Sequence, residues 1–284
     1  RQMCIRDRTE NELTVKANKR TFIFSKKDGQ LKGVSVDNRK ISFANGPRFI
    51  GARRADRSLD QFYNHDDEKA KEKDRTYSEF SDAAVFTKLD VKEDGGNLVV
   101  TANYKLGNLD KAQWTINPSG ELALDYTYNF SGVVDLMGIR FDYPEDQVIS
   151  KRWLGAGPYR VWQNRIHGTQ YDVWENDYND PIPGETFTYP EFKGYFGDVS
   201  WMNIQTKEGT ISLTNETPDA YIGVYQPRDG RDRLLYTLPE SGISVLNVIP
   251  PVRNKVNSTD LCGPSSQPKW VNGPQTGRVI FRFM

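Results

Sequence analysis

Along most of this chain, apolar and polar residues alternate with a period of two. Leu122, Leu124, Tyr126 and Tyr128 are separated by Ala123, Asp125 and Thr127, the pattern of a strand with one face against a core. The pattern predicts further strands at Thr21–Phe24, Leu31–Val36, Ile41–Phe43, Val85–Val91, Leu98–Leu106 and Trp114–Ile116. It resumes at Val199–Gln205, Ile211–Leu213, Tyr221–Tyr225, Ile243–Ile249 and Arg278–Phe283. Asp28-Gly29, Asp37-Asn38, Asp94-Gly95-Gly96 and Pro118-Ser119-Gly120 supply the turns between them, as hairpins require. No window of a dozen residues carries a 3.6-residue period. The nearest, Asp66–Tyr77, is charged on every face and reads as a solvated loop. Many short strands with turn signals between them predict an all-β fold, a large antiparallel sandwich.

Two stretches break the rhythm. Gly155–Lys193 sets Tyr159, Trp162, Tyr171, Trp174, Tyr178, Phe187 and Tyr189 among Gly, Pro, Asn and Asp, and Arg253–Gly277 contains three prolines and Trp270. Loops of this length are functional or disordered, and the aromatic content argues against disorder.

Composition narrows the function classes. With 38 basic and 38 acidic residues the formal net charge is zero, and no basic stripe is present, which argues against a nucleic-acid partner. No apolar run is long enough to span a membrane as a helix. A mean hydropathy of −0.69 suits a sheet-rich protein with wide polar loops, and aromatics at 12% provide large buried areas for a core. Cys4 and Cys262 lie far apart and imply neither a disulfide framework nor a zinc site. Arg1–Arg8, RQMCIRDR, resembles the translation of transposon-end adapters used in shotgun sequencing. It is set aside from the fold as a fusion scar would be, leaving residues 9–284 as one domain. Asn215-Glu216-Thr217 and Asn257-Ser258-Thr259 match glycosylation sequons, a pattern short enough to arise by chance.

The most specific stretch is Trp153-Leu154-Gly155-Ala156-Gly157-Pro158-Tyr159-Arg160-Val161-Trp162-Gln163-Asn164-Arg165. Its glycines permit backbone turns closed to other residues and Pro158 stiffens the exit. On chemistry alone it is either an aromatic loop packed as a small core or a sugar-stacking surface. The framework W-x-G-x-G-P resembles the signature of the C-terminal domain of family 2 glycoside hydrolases, the β-galactosidase small-chain type. Gly46-Pro47-Arg48-Phe49 with Arg53-Arg54-Ala55 resembles an earlier element of that domain. Tyr189-Pro190-Glu191-Phe192-Lys193-Gly194 with Asp198-Val199-Ser200-Trp201 resembles a later one. Departures from the family pattern fall at Arg160, at Asn164-Arg165 and within Pro190–Gly194, and point to a divergent branch.

The resemblance implies a β-supersandwich of the galactose mutarotase-like kind, lying beside a catalytic (β/α)₈ barrel encoded upstream in the same polypeptide. Two glutamates of that barrel would hydrolyse a terminal β-linked sugar with retention. This chain would hold no catalytic residue and no cofactor, and would contact the carbohydrate substrate. A signal peptide further upstream would place the enzyme in the periplasm or outside the cell. Trp270, Trp162, Asn164, Arg165 and Tyr189 are the candidate sugar-facing residues. Trp270 is expected on a mobile loop from Asp260, as in β-galactosidases, which offer a Trp from a Gly- and Ser-rich loop near the C-terminus. Two rival readings remain: a stand-alone carbohydrate-binding module, or an aldose 1-epimerase using His65 or His167 as acid.

Overall fold

The computed structural model describes residues 4–54, 77–178, 193–225, 238–252 and 263–284. Among them no α-helix occurs; Glu145–Gln147 and Pro264–Ser266 are single 3₁₀ turns. His65, Tyr189 and most of the charged Asp66–Tyr77 stretch lie outside the described residues.

Two antiparallel sheets face each other. The first is ordered β1 (Cys4–Arg8), β2 (Glu12–Ala17), β3 (Arg20–Ser25), β4 (Leu31–Val36), β6 (Ala44–Arg54), β12 (Leu136–Asp142), β18 (Ile243–Val248) and β17 (Tyr221–Val224). β5 (Arg39–Ile41) pairs with β4, and β7 (Tyr77–Glu79) with β6. The second sheet runs β14 (Gln170–Asp177), β13 (Val148–Gly157), β15 (Trp201–Thr206), β16 (Gly209–Asn215), β19 (Lys269–Phe283), β11 (Leu122–Val134), β10 (Leu109–Ile116), β9 (Asn97–Lys105) and β8 (Val85–Asp94). This is the large all-β sandwich expected from the alternation.

Aromatic rings fill the space between the sheets. Phe43, which precedes β6, packs on Phe281 of β19 with centroids 5.0 Å apart. Phe49 of β6 meets Tyr128 of β11 at 5.4 Å, and Trp114 of β10 meets Phe24 and Phe141 at 6.0 and 6.1 Å. Inward residues come from alternate positions of each strand, as sandwich packing demands. Burying so many rings supplies most of the hydrophobic driving force, because each removes a large apolar area from water.

A second, smaller core lies on the other face of the first sheet. Ile50 and Ala52 of β6, Leu136 of β12 and Leu246 of β18 point away from the main core and pack with Val161, Trp162, Tyr195, Ile249 and Val252. β6, β12 and β18 are therefore buried on both faces.

Candidate functional site

The second core is where the three sequence blocks meet. β6 brings the first block, and the segment leaving β13 brings the second. In β13, Trp153 is fully buried against Phe196 at 4.9 Å, edge to face, while its Nε1–H donates to the Ala156 carbonyl at 3.0 Å. The chain then passes Gly157-Pro158, which, like Gly46-Pro47, is a cis peptide. A Cβ on Gly157 would stand 2.4 Å from the Trp174 ring, so the loop leaves β13 over an indole that only glycine admits.

The third block closes on the second through backbone bonds. Val161 and Tyr195 exchange N–H···O bonds of 2.7 Å each. Gly194 makes this approach possible, since a Cβ there would fall 1.9 Å from the Val161 carbonyl oxygen. Trp162 and Arg165 then close a tight turn, the Arg165 N–H donating to the Trp162 carbonyl at 2.8 Å. The Asn164 side chain clasps Val252: its Nδ2 donates to the Val252 carbonyl at 2.9 Å, and its Oδ1 accepts the Val252 N–H at 2.8 Å. Gln163 donates from Nε2 to the Gln267 carbonyl at 2.8 Å, which ties the turn to the segment entering β19. Arg160, a departure from the family pattern, is buried with its guanidinium 5.9 Å above the Phe196 ring, a cation–π contact.

The five candidate sugar-facing residues separate into three groups. Trp162 is 2% exposed and meets Tyr195 edge to face at 5.7 Å; its indole has no face open to a sugar, so its place is in the packing. Asn164 has both polar atoms committed to Val252. Arg165 is exposed, and Trp270 is 73% exposed. Tyr189 lies outside the described residues. Trp270 also stands somewhere other than the expected mobile loop. It is the second residue of β19, opposite Val133 of β11, so the sheet ladder fixes its backbone while the indole faces solvent.

Trp270 and the Trp162–Arg165 turn share one end of the sandwich. β11 ends at Val134, opposite Lys269, and the next residue, Asp135, accepts the Arg54 N–H at 2.9 Å. The C-terminal end of β6, the turn and the start of β19 are thereby knitted together. The sequence motifs contain Arg54, Val161 and Trp162 of this assembly. They miss Tyr195, Ile249, Val252 and Asp135, whose only sequence signal is an apolar residue or a lone acid at a strand end.

His167 is exposed on the loop after the turn, and its carbonyl accepts the Tyr159 hydroxyl at 3.3 Å. Among the described residues its ring makes no hydrogen bond or ion pair. No group of three or more His, Cys, Asp or Glu placed to hold a metal occurs among the described residues. Burial, with Tyr77 nearby, holds the Tyr195 phenol well above its ordinary range, so it stays neutral as a packing group. The Asn215 amide of the first sequon donates to the carbonyls of Val199 and Thr217, both at 3.2 Å.

A protein with two large antiparallel sheets, a both-face-buried centre and a motif-built rim at one end belongs to the large β-sandwich class. Within that class, a model of the β-galactosidase small chain family matches residues 16–254, and the chain belongs to that family. No curated protein sequence matches it. Among solved structures it is similar to a galactose 1-epimerase from Lactobacillus acidophilus NCFM, with a TM-score of 0.48, 8% identity, and 100% of this chain and 98% of that one covered. It is also similar to a GalM/aldose epimerase homologue from C. elegans, with a TM-score of 0.43, 8% identity, and 96% and 98% covered. A galactose mutarotase-like protein from Lactobacillus casei ATCC 334 follows at 0.40 and 11%, with 96% and 100% covered.

Proposed function

We propose that this chain is the non-catalytic, sugar-facing domain of a retaining family 2 glycoside hydrolase of the β-galactosidase type. In this reading it buttresses a catalytic barrel of the same polypeptide, in the periplasm or outside the cell. The end of the sandwich where the three blocks converge abuts the barrel, and Trp270 presents its indole to the apolar C–H face of a bound pyranose. The observation that carries the reading is an exposed tryptophan held on a strand directly beside the motif-built rim of a β-galactosidase small-chain fold. The flat apolar face of an exposed indole suits the C–H face of a pyranose.

The test compares the chain alone, the barrel alone and the two joined, assayed on nitrophenyl β-galactoside. Hydrolysis is expected only where the barrel is present, and at a higher rate in the joined protein. In the joined protein, Trp270→Ala is expected to raise KM by about three- to tenfold, the worth of one stacking contact, with a smaller effect on kcat. Turnover by the chain alone, or unchanged kinetics in Trp270→Ala, would overturn the proposal.

A further inference from the structure

At the opposite end of β6, about 20 Å from Arg54 by strand rise, a cavity of about 590 Å³ opens on the outer face of the first sheet. Asn45, Arg48, Arg140, Asp142, Tyr225 and Ser241 line it. We propose that this cavity is a second ligand site, built for a neutral saccharide unit.

Both guanidiniums of its lining already have carboxylate partners. Arg48 pairs with Asp142, whose second oxygen accepts the Asn45 amide at 2.9 Å. Arg140 pairs with Glu79 at 2.8 Å and donates to the Glu240 carbonyl. An anion would have to compete with Asp142 and Glu79 and would also face Glu145 and Glu240 on the lining, and a cation would face two guanidiniums. A neutral polyol meets neither penalty. Its hydroxyls accept from a guanidinium N–H and donate to the spare lone pairs of Asp142 at the same time, since a carboxylate offers about four acceptor positions. The Tyr143 ring adds apolar surface to the same wall. The volume lies within the range of small-molecule sites.

A second observation points the same way. Ser241 is 2% exposed and Tyr225 is 8% exposed, and among the described residues neither hydroxyl has a hydrogen-bond partner. Native proteins rarely leave such groups unpaired. Tyr225 also holds a left-handed backbone, with φ of 60°, a conformation costly for a bulky side chain and found where function constrains the chain. Ser241 is one of the lining residues, so a sugar hydroxyl in the cavity is the partner that would restore the missing bond.

The inference stands on this lining and not on the role proposed for Trp270. Calorimetric titration of the whole chain with galactose, lactose and cellobiose, and with sodium sulfate as an anion, tests it. At least one sugar is expected to bind, and Asp142→Asn and Ser241→Ala are each expected to weaken it about fivefold. Ser241→Ala should not lower the thermal midpoint, because its hydroxyl has no internal partner to lose; this separates a lost contact from a lost fold. Repeated in the Trp270→Ala background, the titration reads the cavity alone, and the same losses of about fivefold are expected there. Absence of binding by all three sugars at about 50 mM, saturation by sulfate instead, or affinity lost in Trp270→Ala but kept in both cavity variants would each overturn the inference.

Discussion

Trp162 and Trp270 carry the same side chain into opposite circumstances, and single substitutions should separate them. Replacing Trp162 by Ala removes an indole buried between Tyr195 and the outer face of the first sheet. Urea denaturation should show a loss of ~3–5 kcal/mol, the cost of a large aromatic deleted from a core. Trp270→Ala touches an exposed ring, and its unfolding free energy should stay within ~0.5 kcal/mol of the parent. Gly194 is a sharper case. Alanine there places a methyl 1.9 Å from the Val161 carbonyl oxygen, so the Val161–Tyr195 bridge must open. Hydrogen exchange at the amides of Val161 and Tyr195 should then accelerate well before the rest of the fold does.

At the scale of elements, legibility followed burial on one face. β11, with Leu122, Leu124, Tyr126 and Tyr128 inward, was plain in the sequence because one face packs and the other is wet. β12 escaped: five of its seven residues, Leu136 to Ile139 and Phe141, are buried, and a strand covered on both faces shows no alternation. β14 escaped for the opposite reason. It is an edge strand with most side chains exposed, so nothing selects a pattern. β19 reads as a loop as far as Gly277 because of Gly273, Pro274 and Gly277, yet it runs from Lys269 to Phe283 between β11 and β16. Gly277 fits close neighbours: a Cβ there would lie 2.2 Å from the Tyr126 hydroxyl oxygen and 2.7 Å from Thr217 Oγ1. Gly277→Ala should therefore cost ~1–3 kcal/mol by overpacking, measurable as a lower denaturation midpoint with an unchanged slope.

For the molecule as a whole, the two sheets are joined by rings and by polar contacts, among them a latch at Glu208. Glu208, in the turn between β15 and β16, accepts the Ser42 N–H at 2.9 Å, the Ser42 hydroxyl at 2.6 Å and the Tyr143 hydroxyl at 2.9 Å. Burial alone would raise its pKa. The bonds from Ser42 and Tyr143, with Lys40 nearby, outweigh it and hold the carboxyl below its usual value of 4.5. A depressed folded pKa means stability that is fully present above the unfolded value and is lost as pH falls through the folded one. Glu208→Gln should accordingly be less stable than the parent at neutral pH, with the gap closing as the pH drops below about 4. A pH-independent gap in urea titrations would show that the carboxylate charge is not what matters.

The sequence by itself determined the all-β class, the strands with one dry face, the absence of a long apolar helix and the three motif blocks that carry the family. These are local properties: period, turn chemistry and composition are written within a few residues of one another. The tertiary structure decided which motif residues stay exposed and which pack. Burial depends on what the distant chain brings alongside, and Tyr195 and Val252 close over Trp162 and Asn164 from far along the sequence. It also placed Trp270 on a strand, because pairing with β11 overrides the local loop chemistry of Gly and Pro. The cavity beside Arg48 and Asp142 was invisible for the same reason: its walls come from β6, β12 and the segments flanking β17 and β18, and only folding sets them side by side.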